Sequence, residues 1–271
     1  MPELPEVETT RRGVEPHVVG RRIVALTLHE PRLRWRVPSS LPAKLVGQLI
    51  RVAGRRAKYL LIELESGTLL LHLGMSGSLR VLPAETPRVA HDHFDLVLDS
   101  GNTLRFNDPR RFGSLHYTTD AVAEHPLLAR LAPEPFDDAF NSEYLWRVTR
   151  KRSVAIKQLI MNSTLVVGVG NIYASEALFR AQVRPRRQAH SLTRDEVSRL
   201  VRSIRTVLNM AIRTGGTTLR DYLNADGNPG YFSQKLFVYE RAGKPCRKCG
   251  TKIRQFTQGQ RSSYYCPTCQ K

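Results

Sequence analysis

Met1-Pro2-Glu3-Leu4-Pro5-Glu6-Val7-Glu8 opens the chain, and its reading decides how the rest is understood. Removal of Met1 would leave Pro2 as the N-terminal residue, a secondary amine followed directly by the carboxylate of Glu3. An α-amino group has a pKa of about 7.7–8.0, so very roughly a tenth of it is unprotonated and nucleophilic at neutral pH. A secondary amine condensing with a sugar aldehyde carbon gives an iminium, which is cationic without taking up a proton and is therefore a standing electron sink. Glu3 can move protons beside it. The octet also has an ordinary use, because Pro5 suits a first helical turn and Glu6 and Glu8 suit its positive end. A short helix is expected over residues 5–14, ended near Gly13 and Pro16.

Beyond this helix run short apolar stretches rich in Val, Ile and Leu: Ile23–Leu28, Leu49–Ala53, Tyr59–Leu64, Thr68–Leu73, Ser78–Leu82, Phe94–Leu98, Thr103–Phe106 and Ser114–Tyr117. Turn signals such as Glu65-Ser66-Gly67 and Asp99-Ser100-Gly101 separate several of them. Strands at this spacing predict an antiparallel β-sandwich, with a barrel as the alternative. Ala132-Pro133-Glu134-Pro135 reads as a linker that helices do not cross. Helical patterns follow it. In the clearest, Val197, Leu200, Val201, Ile204, Val207, Leu208, Ala211 and Ile212 recur at three-and-four spacing on one face. Asp195 and Glu196 open that helix and Gly215-Gly216 stop it; another helix is expected over residues 171–181. The fold class is α+β: an N-terminal antiparallel β-sandwich with a flanking helix, then a helical domain and a small C-terminal module. Domain boundaries are expected at 1–132, 133–235 and 236–271, with the polar, glycine-containing loop 217–235 closing the second.

The chain has 271 residues and a formal net charge of +18. Residues 1–140 hold 18 Lys+Arg against 17 Asp+Glu, whereas residues 141–271 hold 24 against 7. So one-sided an excess points to a polyanion gripped by the C-terminal half, and nucleic acid is the expected partner rather than an anionic membrane. No run of eighteen apolar residues is present, and the N-terminus lacks a signal-peptide layout. A cytoplasmic, nucleoid-associated protein is expected, with no membrane partner.

All four cysteines lie after residue 245, as Cys246-x-x-Cys249 and Cys266-x-x-Cys269. Two such pairs complete a tetrahedron of thiolates around one structural Zn2+, with no ligand position left open for chemistry. The ion would hold a hairpin that lacks enough core to fold alone. Gly259 suits the tip of that hairpin, and Arg261 would project from it, most simply towards a phosphate.

Further stretches suit a DNA partner. Lys58 stands where an apolar strand begins. Met75, on the loop Gly74-Met75-Ser76-Gly77-Ser78, can act as an apolar wedge in a base stack, or merely fill a gap. Asp108-Pro109-Arg110-Arg111-Phe112-Gly113 joins guanidinium groups to an aromatic ring on a turn, fit to read a base edge and slip between bases, although Asp108 could simply pair with an arginine. His91-Asp92-His93 lacks a third ligand for a metal, so His91 reads as a phosphate contact. Gly168-Val169-Gly170-Asn171 runs from a glycine turn into a helix start, which favours a phosphate.

Taken together, the opening octet, Lys58, the Gly74–Ser78 loop, the Asp108–Gly113 turn, the Gly168–Glu176 stretch and the finger with Arg261 closely resemble the formamidopyrimidine-DNA glycosylase family over the whole chain. The resemblance implies a β-sandwich, a helix–two-turn–helix domain and a zinc finger. It implies a bifunctional glycosylase and AP lyase of base excision repair that removes 8-oxoguanine and formamidopyrimidines from double-stranded DNA and then cuts the strand by β,δ-elimination. It further implies that Pro2 forms a Schiff base at C1′ and Glu3 serves as acid and base, with Glu6 as a supporting carboxylate. Lys58 and Arg261 then take proton-donor roles in the two eliminations. Met75, Arg110 and Phe112 fill the void left by the flipped base, His91, Arg110, Arg152 and Asn171 bind DNA, and loop 217–235 caps the lesion. A monomer carrying one Zn2+ is expected. The endonuclease VIII-like enzymes for oxidised pyrimidines share Pro2, Glu3, a lysine and a finger, but Leu4-Pro5-Glu6-Val7 and the Arg110–Phe112 wedge side with the purine enzymes. A non-catalytic zinc-finger DNA-binding protein is the rival from another class.

Overall fold

The computed structural model describes residues 2–216 and 236–271. The loop expected to cap the lesion, 217–235, lies outside the described residues. Two compact units divide the chain: residues 2–129 with 214–216 form one, and residues 130–213 with 236–271 form the other.

The first unit begins with α1 (Leu4–Val18), whose Leu4, Val7, Val14 and Val18 are all buried on one face. The expected stop near Gly13 and Pro16 is corrected. Pro16 lacks an N–H and so costs one helical bond, yet burial of Val14 and Val18 holds the last turn, and Val19 N–H closes on Glu15 O at 3.1 Å. Eight strands follow: β1 (Ile23–Leu28), β2 (Ile50–Arg56), β3 (Tyr59–Leu64), β4 (Gly67–His72), β5 (Ser78–Pro83), β6 (Asp92–Leu98), β7 (Asn102–Asn107) and β8 (Ser114–Thr118). They make two four-stranded sheets, ordered β1-β6-β7-β5 and β2-β3-β4-β8, with every pairing antiparallel. This is the expected sandwich. Its core joins both sheets to α1 and to the short helix α2 (Leu41–Leu45), through residues such as Ile50, Leu69, Leu96 and Phe106. Five residues show too little periodicity for α2 to stand out in the sequence.

The second unit is helical: α3 (Ser142–Arg150), α4 (Ile156–Ile160), α5 (Asn171–Ala181) and α6 (Arg194–Arg213). On α6 the buried side chains are Val197, Leu200, Val201, Ser203, Ile204, Val207, Leu208 and Ala211, the predicted face with Ser203 added and Ile212 only partly buried. Each large aliphatic group there contributes roughly 1.5–3 kcal/mol by leaving water. A hairpin of β9 (Arg254–Gln258) and β10 (Arg261–Tyr265) completes the unit. Gly259 and Gln260 both have positive φ, 55° and 60°, as a two-residue hairpin turn of matching twist requires. Among the described residues no helix is long and apolar enough to cross a membrane.

Candidate functional site

At the start of the first unit, Pro2 is buried and Glu3 caps α1. The Glu3 carboxylate accepts from the backbone of Glu6, and the Glu6 carboxylate accepts from Glu3 N at 2.8 Å, a reciprocal capping box. Both acids are almost wholly buried, at 2% and 1% exposure. Two carboxylates are thereby fixed in the first turn of α1, one of them on the residue that follows Pro2. Gly216, read from the sequence only as a helix stop, also meets this pair. With φ at +82°, a Cβ there would come within 3.2 Å of Glu6 Oε1.

Lys58 sits half-buried in the β2–β3 turn, beside Ala57 at φ +53°. The turn is tied to α1 through Glu8. The Glu8 carboxylate accepts from Arg55 Nε at 3.2 Å, and Arg55 also donates to Ala57 O at 2.8 Å. Burial alone would raise the Glu8 pKa, but Arg11, Arg12 and Arg55 outweigh it and hold the acid low. His72, unnoticed in the sequence, packs its ring 4.8 Å from that of Tyr59 and accepts from Gly74 N through Nδ1 at 2.9 Å. Burial first, then the charges of Lys58, Arg34 and His116, bring its pKa down to about 4. His72 is therefore neutral near pH 7, and it links the neighbourhood of Lys58 to the Gly74–Ser78 loop.

That loop and the Asp108–Gly113 turn are clasped together. Asp108, fully buried, accepts from Ser76 Oγ at 2.6 Å, Gly113 N at 2.8 Å and Arg110 N at 3.3 Å. The pairing of Asp108 with an arginine side chain, open in the sequence, is thus replaced by a turn-building role. Gly74 has φ +66°, and a Cβ on it would lie 2.4 Å from Gly113 N, so only glycine lets the two segments approach this closely. The clasp presents Met75 and Phe112 to solvent, at 37% and 44% exposure, with the Arg110 guanidinium 5.3 Å from the Phe112 ring. Large apolar groups held outward on rigid loops are what a base-stack wedge requires. His91, exposed at φ +70°, accepts from Asp108 N through its carbonyl at 3.0 Å. His93 instead is buried, with Nε2 2.8 Å from Asp108 O.

In the second unit, Arg152 follows α3 and donates to Val148 O at 2.6 Å, and Asn171 is the first residue of α5. Lys157, 2% exposed, donates to Asn171 Oδ1 at 2.7 Å, Ser262 O at 2.9 Å and Ser263 Oγ at 2.7 Å. One ammonium so binds the start of α5 to the strand that begins at Arg261. The hairpin tip rests on α4, since a Cβ on Gly259 would lie 2.7 Å from Gln158 Nε2. Exposed Arg261 edges a cavity of about 200 Å³ shared with Lys157, Gln158 and Asn162. Glu176 accepts three backbone N–H groups, those of Phe237, Val238 and Tyr239, each at 2.9 Å. Burial pushes its carboxyl up, against the pull of those three donors.

The four cysteine sulfurs all lie within 4.8 Å of one another, with Cys249–Cys266 at 3.4 Å and Cys246–Cys269 at 4.0 Å. A Zn–S bond of about 2.3 Å gives tetrahedral S···S edges of about 3.8 Å, so the set fits Zn2+. Backbone N–H groups of Lys248 and Cys269 point at Cys246 and Cys266 Sγ, each at 3.4 Å, as thiolate ligands require. Among the described residues this is the only such group.

Three family models match the chain: the formamidopyrimidine-DNA glycosylase N-terminal domain over residues 1–115, the H2TH domain of the same family over 131–222, and a zinc finger found in FPG and IleRS over 243–271. The chain is 59% identical to a formamidopyrimidine-DNA glycosylase from Thioalkalivibrio sulfidiphilus, over all of both chains. The crystal structure of the MutM (Fpg) protein of Thermus thermophilus superposes with a TM-score of 0.89 at 41% identity, covering 99% of this chain and 98% of that one. A Lactococcus lactis Fpg mutant in complex with Fapy-dG-containing DNA superposes at 0.93 with 33% identity, covering all of both chains.

Proposed function

The chain belongs to the formamidopyrimidine-DNA glycosylase family, the glycosylases and AP lyases that remove oxidised purines in base excision repair, and from that premise we propose how its own residues divide the work. Pro2, freed of Met1, attacks C1′ of a damaged nucleotide that has been rotated out of the duplex, an extrusion costing a few kcal/mol. The bond from C1′ to the base breaks and the base leaves. Glu3 moves the protons of base loss and sugar opening, and Glu6 holds Glu3 in place. The iminium acidifies the C2′ hydrogen, and successive β- and δ-eliminations expel the 3′ and then the 5′ phosphate. Lys58 donates a proton in the first elimination and Arg261 in the second. Met75, Arg110 and Phe112 fill the vacated space in the stack, and Arg110 also contacts the orphaned base. His91, Arg152 and Asn171 hold the DNA backbone. The zinc is structural, so none of these steps passes through it.

The buried capping box supports this reading, because it fixes the carboxylates of Glu3, the residue that follows Pro2, and of Glu6 together at the start of α1. The partner is double-stranded DNA containing oxidised purines, bound by a monomer working in the cytoplasm at the nucleoid. Strand cleavage on duplexes carrying 8-oxoguanine or an oxidised pyrimidine tests the specificity. Faster cleavage at 8-oxoguanine is expected, and equal or faster cleavage at the pyrimidine would overturn it.

A further inference from the structure

A second basic cavity lies in the first unit, outside every residue given a role above. It is about 210 Å³ in volume, and its walls include Arg36, Ser40, Lys44, His116, Tyr117 and His125. No carboxylate lines it. Among the described residues neither Arg36 nor Lys44 forms an ion pair, unlike Arg105, which is matched to Asp95 at 2.7 Å. His116, on the cavity wall, has a buried Nε2 with no hydrogen-bond partner. The two imidazole centroids stand 5.8 Å apart. His125 Nδ1 accepts from Leu127 N at 3.3 Å, which leaves the proton of its neutral ring on Nε2. Trp35, 41% exposed, meets the His116 ring edge-on at 5.2 Å and carries the Arg34 guanidinium over its face at 4.7 Å. Arg34 N in turn donates to Gly113 O at 3.0 Å, so this corner is fastened to the turn that bears Phe112.

We propose that this cavity is a phosphate subsite, in which Lys44, Arg36 and the His116 and His125 imidazoles hold the oxygens of a phosphate group. Unpaired cations, an orphaned ring nitrogen and the absence of acid select an anion with several acceptor oxygens over a cation or an apolar ligand. Such a phosphate has two sources: the DNA backbone beyond the wedge, a variant that rests on the reading above, or a free phosphate monoester.

The test follows the histidine side-chain nitrogens of the full chain by NMR while inorganic phosphate replaces chloride at constant ionic strength. A saturable shift of His116 and His125 is expected, weakened about tenfold by Lys44→Ala, the loss of one charge-assisted bond. Two duplexes with a stable abasic analogue are then compared, one ending at the wedge and one extended by half a helical turn. Displacement of phosphate by the longer duplex alone assigns the subsite to DNA, and phosphate retained with both assigns it to a free monoester. Histidine signals that respond to phosphate no differently from chloride overturn the proposal. Failure of the DNA reading would show separately, as absence of duplex binding by the unaltered chain.

Discussion

The two halves of the chain hold their functional groups in opposite ways. Residues 1–140 are nearly neutral, and several of their acids are turned inward on their own arginines and backbone: Glu8 on Arg11, Arg12 and Arg55, Asp95 on Arg105, Asp108 on a turn. Residues 141–271 carry 24 Lys+Arg against 7 Asp+Glu and are held by a four-cysteine site, Lys157 and Glu176. Charge paired inside a fold positions atoms but attracts little from solution. Charge left unpaired outside does the reverse, drawing in a polyanion along its whole length. On the roles proposed above, the first half mainly supplies the geometry of the reaction and the second mainly the grip.

Breaking the finger gives the largest effect. Cys266→Ser should lower bound zinc from one to none and abolish measurable DNA binding in gel-shift assays, because metal ligation supplies the folding free energy of such a module. The melting of the first half should be unmoved. Breaking the clasp comes next. Asp108→Ala strands the Ser76 hydroxyl and the Gly113 N–H and should cost about 3 kcal/mol in urea unfolding, with zinc content intact. Gly216→Ala places a Cβ at φ +82° against Glu6 and should cost about 1 kcal/mol. Cleavage should slow while DNA affinity holds, which separates geometry from grip within one variant.

The two smallest effects sharpen the contrast. The folded pKa of His72, about 4, lies below the ordinary value near 6.5. As pH falls, the unfolded chain takes up this proton first, so the stability His72 contributes is complete above about pH 6.5 and is lost between there and pH 4. His72→Gln should flatten that part of the stability profile by about one proton. Arg261→Ala should reduce the salt slope of DNA affinity by about one, and Glu8→Gln should leave it unchanged.

Much of this was legible in the sequence because its signals are local. All eight strands of the sandwich lie on the predicted apolar runs, since such runs and the turn residues between them act over a few positions. The cysteine spacing likewise carries its geometry with it. What escaped depends on distant partners. Lys157 meets Ser263 across 106 positions, His72 acts through Tyr59 and Gly74, and Gly216 serves Glu6 from the far side of the sequence. No pattern near any of them records the contact. Asp108 was visible, but as a partner for an arginine; its turn-building role depends on Ser76, 32 residues away. Pro16 misled in the opposite sense, because buried Val14 and Val18 override a local helix breaker.

The claim that Pro2 is the nucleophile is tested most directly by borohydride reduction of the protein on 8-oxoguanine DNA, followed by mass spectrometry of the cross-linked peptide. An adduct is expected on the Pro2 nitrogen of chains lacking Met1 and none on chains that retain it. An equal yield of adduct from both, or an adduct borne by Lys58 or Lys157, would contradict it.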